Sequence, residues 1–376
     1  MSTKIAFINT TKKQLTFLLF VWAIVQIILY VHNGIVTDLE AKKYINEATF
    51  FIKNGHLSTG NFYLYSTEIF LIVASLKLKT GFILVVIIHW IMNLLATYMF
   101  FTIAMNFLKK EILAVIVTFL YIINIPYQVY NSFLFTESLF YSLTIIYSGF
   151  LLRLTILNLK NIIFIFLFLL LLSITRPTGI LFFGATAIYV FFKFLHHWSI
   201  VQKMVLLTVS LVLFIVLINS MMQSGGELNL MLPFVKENII CGVNTTINAN
   251  IQTLQNDTSL YGLLYYITHN PGHFLHLAWL KTISFFAMTR SYYSLPHNIL
   301  LILFYYPFYL MSILDIRNQF KTGKKKLNYF ISIIILYWLT SVFTCDDWHG
   351  RFFLTISPFL FLLGMSIFSP QIKKPA

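Results

Sequence analysis

The sequence predicts an all-α polytopic membrane protein with about ten transmembrane helices and two large outer loops that carry interfacial amphipathic helices. The 376-residue chain is 59% hydrophobic and only 10% charged, and its mean hydropathy of +0.81 is far above that of a soluble domain. Its 39 Phe and 21 Tyr residues are typical of lipid-facing and interfacial helix surfaces. No soluble domain or internal repeat is visible, so we expect residues 1–376 to form a single membrane domain.

The apolar runs long enough to cross a bilayer are residues 14–31, 82–107, 111–126, 137–156, 160–175, 178–195, 203–221, 298–314, 328–344 and 352–368. The first run lacks a small-residue cleavage site and is therefore predicted to be a retained anchor. Segments 66–80 and 275–290 are broken or bounded by basic residues, which favours amphipathic helices at the interface. The large outer loops then cover about residues 32–81 and 222–297.

The distribution of charge orients these spans. In the ten-span arrangement 16 of the 26 Lys and Arg residues fall on one side, with only Glu111 and Asp315 as acids there. The positive-inside rule makes that side cytoplasmic, so both termini are predicted inside and the working surface outside. If segment 66–80 also crossed, the basic loops in the middle would face out, which fits less well. The net charge of +14 is thus explained by surplus Lys and Arg on the predicted cytoplasmic loops. The sequence contains no basic stripe interleaved with aromatic residues, so nucleic-acid binding is not predicted.

The two cysteines exclude a disulfide framework and a cysteine-based metal site. Cys241 and Cys345 both lie in predicted outer loops, which allows one disulfide, although their spacing does not itself support one. Walker A, GxSxG, HExxH and dinucleotide-binding motifs are missing from the sequence, which removes the usual support for nucleotide-driven transport and serine hydrolysis.

Carboxylates begin two predicted helices on the outer side. Asp38 and Glu40 follow the first span, with Thr37 or Asp38 as a predicted N-cap and Tyr44 at helical spacing. Glu137 opens a later span, with Thr136 as its predicted cap. Acids at helix starts can simply favour the helix dipole, whereas ionisable groups at membrane depth are usually functional. Both interpretations stay open from the residues alone.

Two outer segments offer arginines. Arg176, in Arg-Pro-Thr-Gly, is a basic residue in a predicted outer turn, which runs against the positive-inside rule. Its guanidinium is suited to bidentate binding of a phosphate. The alternative interpretation is that the side chain only reaches the lipid headgroups. Arg351 could also bind phosphate. It follows Asp346, Asp347 and His349, which are candidate substrate contacts. Two acids and a histidine are too generic to predict a metal site, so no metal ligand is assigned, although a divalent metal is compatible with the segment.

Four of these stretches resemble, in order, the GT-C integral membrane glycosyltransferases, which include protein O-mannosyltransferases and the lipid A aminoarabinose transferase. Glu40-x3-Tyr44-x3-Ala48 resembles the family's spacing after the first span, while Asp38 is the acid type usually seen but lies two residues early. Glu137, the turn from Arg176 to Gly179, and Arg351 followed by Pro358 are similar to the later family motifs. Each motif is short, and their shared order and shared outer side carry the resemblance.

The resemblance implies an enzyme that moves a sugar from a polyprenyl-phosphate donor to a hydroxyl of a glycan, lipid or protein on the outer face of the plasma membrane, with inversion. It implies a catalytic role for Glu137 and for Asp38 or Glu40, with a slight preference for Asp38 as the base. Arg176 or Arg351 would hold the donor phosphate, and no cofactor is predicted. Two alternatives remain. A polysaccharide polymerase or ligase would rely on outer arginines more than acids, and a glycan flippase or transporter would show mid-span charges and repeated halves.

Overall fold

The structure, a computed structural model, describes residues 2–195, 198–202, scattered positions between 204 and 219, and residues 230–243, 251–254, 259–322 and 325–370. Throughout this part of the chain the backbone is helical or irregular, with two isolated bridges in place of strands. The predicted all-α class is therefore confirmed. The predicted span 203–221 lies largely outside the described residues.

The helices follow the apolar runs of the sequence. In chain order they are α1 Ser2–Asn33, α2 Glu40–Asn54, α3 Ser66–Lys77, α4 Ile83–Leu108, α5 Glu111–Ile122, α6 Ile125–Gln128, α7 Thr136–Arg153, α8 Leu159–Thr175, α9 Leu181–Phe194, α10 Leu232–Val235, α11 Leu260–His269, α12 Pro271–Ala287, α13 Leu295–Thr322, α14 Lys325–Phe343 and α15 Arg351–Met365.

Five helical segments are long and apolar enough to cross a membrane: Lys12–Asn33, Ile83–Leu108, Pro177–Phe194, Leu295–Asp315 and Arg351–Phe368. A sixth arises if α5 and the helical residues that follow it, bent by 59°, form one broken span. Helix α8 and residues Asn328–Phe343 are apolar but shorter. The protein is thus a multi-pass membrane protein by helix length and composition, while the number ten stays a prediction.

Residue contacts divide the chain into two compact units. The first unit contains Met1–Tyr189, Pro307–Ile331 and Ser357–Ala376. Within it α4 is the central helix, because it packs against α1, α3, α5 and α7. Its core is aromatic: the rings of Phe100 and Tyr121 stack with centroids 4.8 Å apart. Helix α7 is buried on almost every side, which explains why serines and threonines interrupt its apolar residues.

The second unit contains Val190–Tyr306 and Ser332–Ile356. Part of its core is a cluster of buried residues from the start of α10, from α11 and from α12, with Met231 as the cap residue of α10: Met231, Phe234, Leu263, Tyr266 and Leu277. A disulfide joins Cys241 to Cys345 across 104 residues of sequence. Beside it, the amide of Cys241 donates to the carbonyl of Asp346 and the amide of Asp346 donates to the carbonyl of Ile239, both at 2.8 Å.

Local sequence explains where helices begin and end. Gly34 and Gly55 adopt the left-handed conformation after α1 and α2, where glycine carries no Cβ penalty, and Gly55 donates to the carbonyl of Phe51 at 2.8 Å. Pro271 stands in the first turn of α12, where its missing N–H leaves no helical bond unmade. The predicted side-chain caps of α2 and α7 are wrong. Leu39 and Phe135 occupy the cap positions and provide no side-chain hydrogen bond.

Candidate functional site

The loops that precede Glu40 and Glu137 are joined by backbone hydrogen bonds. The amide of Val36 donates to the carbonyl of Ser132 at 3.0 Å, and the amide of Leu134 donates back to the carbonyl of Val36 at 3.2 Å. These bonds form a parallel bridge between Val36 and Phe133. Because each loop runs directly into a helix, the bridge brings the first turns of α2 and α7 to the same end of the first unit.

Glu137 and Arg176 form a buried ion pair. Arg176 Nη1 donates to Glu137 Oε1 at 2.5 Å, and the side chains are 9% and 0% exposed. Arg176 sits in extended backbone between α8 and a short 3-10 helix. Gly179 closes this turn, and a Cβ there would lie 2.3 Å from the carbonyl oxygen of Leu172. The turn that holds Arg176 therefore requires glycine at position 179.

Glu40 and Tyr44 extend this group of side chains from α2. Tyr44 is fully buried, and its hydroxyl donates to Glu40 Oε1 at 2.8 Å. Burial raises the pKa of Tyr44 well above its usual value, and the negative charges of Glu40 and then Glu137 raise it further. Tyr44 therefore stays protonated and acts as a hydrogen-bond donor that lies within the electric field of both carboxylates.

Asp38 occupies different surroundings from Glu40, although only one residue separates them. Its carboxylate pairs with Lys42 at 2.9 Å, and the two side chains are 72% and 68% exposed. Leu39 between the two acids has a positive φ of 56°, which turns the chain just before α2. The structure thus gives Asp38 a solvent-exposed partner and gives Glu40 a buried one.

Two residues of this region were not predicted from the sequence. Glu68 on α3 and His89 on α4 are fully buried and pair through Oε2 and Nε2 at 3.0 Å. Burial raises the pKa of Glu68; the neighbouring His89 opposes that rise and the charge of Glu137 adds to it. The signal that could have revealed them is His89 itself, an ionisable residue inside the predicted span 82–107. Hydrogen bonds, ion pairs and electrostatic contact thus connect one group of residues, the Arg176 cluster: Glu40, Tyr44, Glu68, His89, Glu137 and Arg176.

The remaining predicted site residues lie in the second unit, close to the buried Arg290. Arg351 Nε donates to Asp347 Oδ1 at 2.6 Å, and these side chains are 17% and 9% exposed. His349 is exposed and its Nδ1 lies 3.2 Å from the hydroxyl of Tyr293. Asp346 pairs instead with Arg290, which was not predicted. We call these residues the Arg290 cluster: Ser284, Arg290, Asp346, Asp347 and Arg351.

Arg290 is held by backbone carbonyls of the residues before it and by the carboxylate of Asp346. Its Nη2 donates to Asp346 Oδ2 at 2.5 Å, and Nη1 donates to the carbonyls of Ser284 at 3.0 Å and Thr289 at 3.1 Å. Burial raises the pKa of Asp346 to about 6, while the charge of Arg290 and a hydrogen bond from Ser284 lower it. The carboxylate is therefore ionised at neutral pH and cross-links the loop.

The described part of the chain contains no set of side chains arranged to bind a metal ion. There, no three His, Cys, Asp or Glu side chains come together in a way that could hold an ion. Asp346 and Asp347 are engaged with arginines instead, and the sulfurs of both cysteines are consumed in the disulfide.

Comparison with known proteins identified no relative. A scan against models of protein families matched none, and searches of curated proteins and of solved structures also found no match.

Proposed function

We propose that the protein is a membrane glycosyltransferase that moves a sugar from a polyprenyl-phosphate-linked donor to an acceptor hydroxyl, with inversion. The observation that carries this proposal is the Arg176 cluster. It combines a buried guanidinium with carboxylates in the first turns of α2 and α7. Such a reaction needs a base for the acceptor proton and a fixed cation for the phosphate that leaves. A donor carried by a lipid can reach such a site from the bilayer.

The base is Glu40 in this proposal, with Asp38 as the alternative that the family resemblance prefers. The hydrogen bond from buried Tyr44 supports Glu40, since it orients the carboxylate beside the ion pair. The exposed pairing of Asp38 with Lys42 supports a surface role for that residue. In the reaction the base takes the hydroxyl proton and the hydroxyl oxygen bonds to the anomeric carbon. The bond from that carbon to the phosphate oxygen breaks, and its electron pair leaves with the phosphate.

Arg176 binds the donor phosphate, and Glu137 positions the guanidinium. A planar guanidinium presents two N–H groups to a phosphate in a fixed fork, and Glu137 restrains its rotation through Nη1. Arg351 is the competing candidate for the phosphate, and Asp346, Asp347 and His349 would then contact substrate. Arg351 pairs with Asp347 much as Arg176 pairs with Glu137. Arg176 is favoured because it is the more buried of the two, at 9% against 17% exposed, and because Glu40 lies close enough to supply the base.

The proposed orientation places both termini in the cytoplasm, ten spans in the plasma membrane and the Arg176 cluster on the outer side. The disulfide between Cys241 and Cys345 supports an outer location for those loops, because disulfides persist in oxidising compartments. Single cysteines placed near Lys110 and near Glu137, in a chain whose own cysteines are replaced, would test it. Labelling of the Lys110 side by an impermeant reagent from outside would refute this orientation.

A transporter or lipid-linked glycan flippase is the second candidate, and one observation favours it. The buried Glu68–His89 pair lies partly inside an apolar helix, where proton-coupled carriers keep ionisable groups. A carrier would move the labelled lipid across the bilayer unchanged, whereas a transferase would give a new glycoside. Product analysis therefore separates the two classes.

The decisive experiment follows sugar transfer in proteoliposomes from a radiolabelled polyprenyl-phosphate sugar. Mass spectrometry of surface glycans from a deletion strain would first identify the sugar and acceptor. Arg176→Lys keeps the charge but loses the fork, so donor binding should weaken substantially. Arg153→Lys is the matched control, because Arg153 donates to Thr102 near the other end of α7. Equal donor affinity and rate for wild type and Arg176→Lys would remove Arg176 from the mechanism and favour Arg351.

A further inference from the structure

The Glu68–His89 pair is unusual because it is fully buried and incompletely satisfied. Oε2 and Nε2 are 3.0 Å apart, yet no hydrogen bond from the described residues reaches the other carboxylate oxygen, Oε1, or the other ring nitrogen, Nδ1. A buried ionisable pair of this kind is rarely more stabilising than apolar residues of similar volume. Stability alone therefore does not account for it.

The pair lies next to the turn that holds Arg176. Thr67, the neighbour of Glu68, shares a 3.0 Å hydrogen bond with Thr175, the neighbour of Arg176. Ser66 at the start of α3 donates to the carbonyl of Ile174. The amino-terminal turn of α3 is thus attached to the carboxyl end of α8.

The charge of Glu137 on α7 acts directly on Glu68 and links the pair to further titratable groups. Glu137 also acts on Tyr44 of α2, which Glu40 and Tyr65 of the short 3-10 helix before α3 influence as well. On the α4 side, the next turn carries Asn93, which accepts a hydrogen bond from Trp22 of α1 and donates one to Tyr121 of α5. Two positive charges lie among these groups: Arg176 pairs with Glu137, and Lys43 Nζ lies 4.6 Å from the ring centroid of Tyr65.

A phosphate that binds beside Arg176 changes this balance of charge. Its negative charge offsets the guanidinium, so the field on Glu68 and His89 becomes more negative. Charges interact strongly in a dry interior, and a proton bound nearby would compensate. The two open atoms, Oε1 and Nδ1, belong to the groups that can accept it.

We propose that Glu68 and His89 form a proton-binding site that takes up one proton from solution when a phosphodiester binds beside Arg176 and releases it when the phosphodiester leaves. This inference rests on the proposed role of Arg176 as the phosphate ligand. The pair does not touch the reacting atoms; it acts as a positioning and charge-compensating element for the phosphate site.

The test is isothermal calorimetry on the full chain in nanodiscs with methyl farnesyl phosphate, a diester whose single charge does not titrate near neutral pH. Repeating the titration in buffers of different ionisation enthalpy gives the number of protons taken up. We expect up to one proton for wild type at a pH between the pKa values of the pair without and with bound diester, and close to none for Glu68→Gln and His89→Gln. In that pH range the affinity of wild type for the diester should fall up to tenfold per pH unit, while the affinities of the variants stay flat.

Glu47→Gln is the matched control, since Glu47 is also buried but its oxygens accept hydrogen bonds from the amide and hydroxyl of Ser58. It should keep the uptake of one proton. Farnesol tests the role of charge and should cause no uptake. If Glu68→Gln does not fold, Glu68→Asp keeps a titratable carboxyl and should retain uptake at a shifted pH.

The outcomes separate two failures. Wild type that binds the diester without taking up a proton, or variants that take up as much as wild type, would overturn the proton site and leave the phosphate site intact. Wild type that does not bind the diester at all would overturn the phosphate site at Arg176, and the inference with it.

Discussion

Two buried arginine–carboxylate pairs, one in each unit, have the same length and opposite surroundings. Arg176 with Glu137 and Arg290 with Asp346 both measure 2.5 Å. Arg290 also donates to the backbone carbonyls of Ser284 and Thr289, and a disulfide lies beside its partner. Around the first pair lie a phenol, an imidazole and two further carboxylates. An ion pair becomes a candidate for chemistry through its titratable neighbours. Its length and burial alone do not distinguish it from a structural cross-link.

The largest expected effect concerns the base in the Arg176 cluster. Glu40→Gln keeps the size of the side chain and its ability to accept from Tyr44, but removes proton acceptance. We expect sugar transfer to fall about 10²–10⁴-fold with normal protein level in membranes. Asp38→Asn is the matched variant, because Asp38 and Glu40 flank Leu39 and the side chain of Asp38 is exposed. If Asp38→Asn abolishes transfer while Glu40→Gln does not, the base is Asp38. Normal rates in both would refute the glycosyltransferase mechanism.

The next effect is on stability and belongs to the Arg290 cluster. Asp346→Asn leaves the buried guanidinium of Arg290 without a carboxylate, which typically costs about 3–5 kcal/mol. Asp347→Asn in the same loop should cost less, because water reaches part of its partner Arg351. Chemical denaturation in detergent with intact disulfide measures both. Equal losses would mean that the burial of Arg290 does not distinguish the two pairs.

A pH-dependent effect comes from Lys281, a further buried cation of the second unit. Its Nζ donates to the carbonyls of Thr344 at 2.5 Å and Val342 at 3.4 Å, and burial lowers its pKa from 10.5 to about 7. The unfolded chain binds more protons between those values, so wild-type stability should rise with pH from about 7 towards 10.

Lys281→Met should remove this rise. The difference between the unfolding free energies of wild type and variant should change by up to about 1.4 kcal/mol per pH unit above pH 7 and level off below it. Denaturation midpoints at pH 6, 7, 8 and 9 provide the measurement. Parallel curves for the two proteins would show that Lys281 stays charged in its buried position.

The smallest effect is expected for the surface pair of Asp38 and Lys42. Exposed pairs of this kind contribute about 0.2–1 kcal/mol, and salt screens them. Lys42→Gln should therefore shift the unfolding midpoint only slightly, and less at high salt. A loss comparable to that of Asp346→Asn would mean that Asp38 is not a surface residue in the membrane-embedded protein.

The sequence predicted the helical class and singled out individual members of the Arg176 cluster as candidates, because apolar runs and short turn motifs are local signals. Glu137 and the turn from Arg176 to Gly179 were visible as breaks in apolar runs, and the structure brings them together. The choice between Asp38 and Glu40 depends on the backbone of Leu39. Leu39 has a positive φ, and leucine rarely adopts this conformation, so the sequence gives no sign of the turn at this position.

Other features depend on contacts between distant segments. The pairing of Glu68 with His89 requires the packing of α3 on α4, and the short apolar stretch of α3 gave no reason to expect a buried acid. The partners Arg290 and Asp346 lie 56 residues apart, and the two cysteines 104. No local pattern encodes such distances. The prediction of a single domain also stays a prediction, since the described residues form two compact units.

The separation of the two cysteines has a consequence for the time course of synthesis. Ribosomes add roughly 5–20 residues per second, so Cys241 is made roughly 5–20 s before Cys345. During that interval Cys241 is a thiol without its native partner, and the backbone bonds between residues 239–241 and Asp346 cannot yet exist. The second unit therefore cannot be complete before the segment that contains Cys345 and Asp346 has been translated. Until then a nascent chain remains open to mixed disulfides that a finished chain no longer forms.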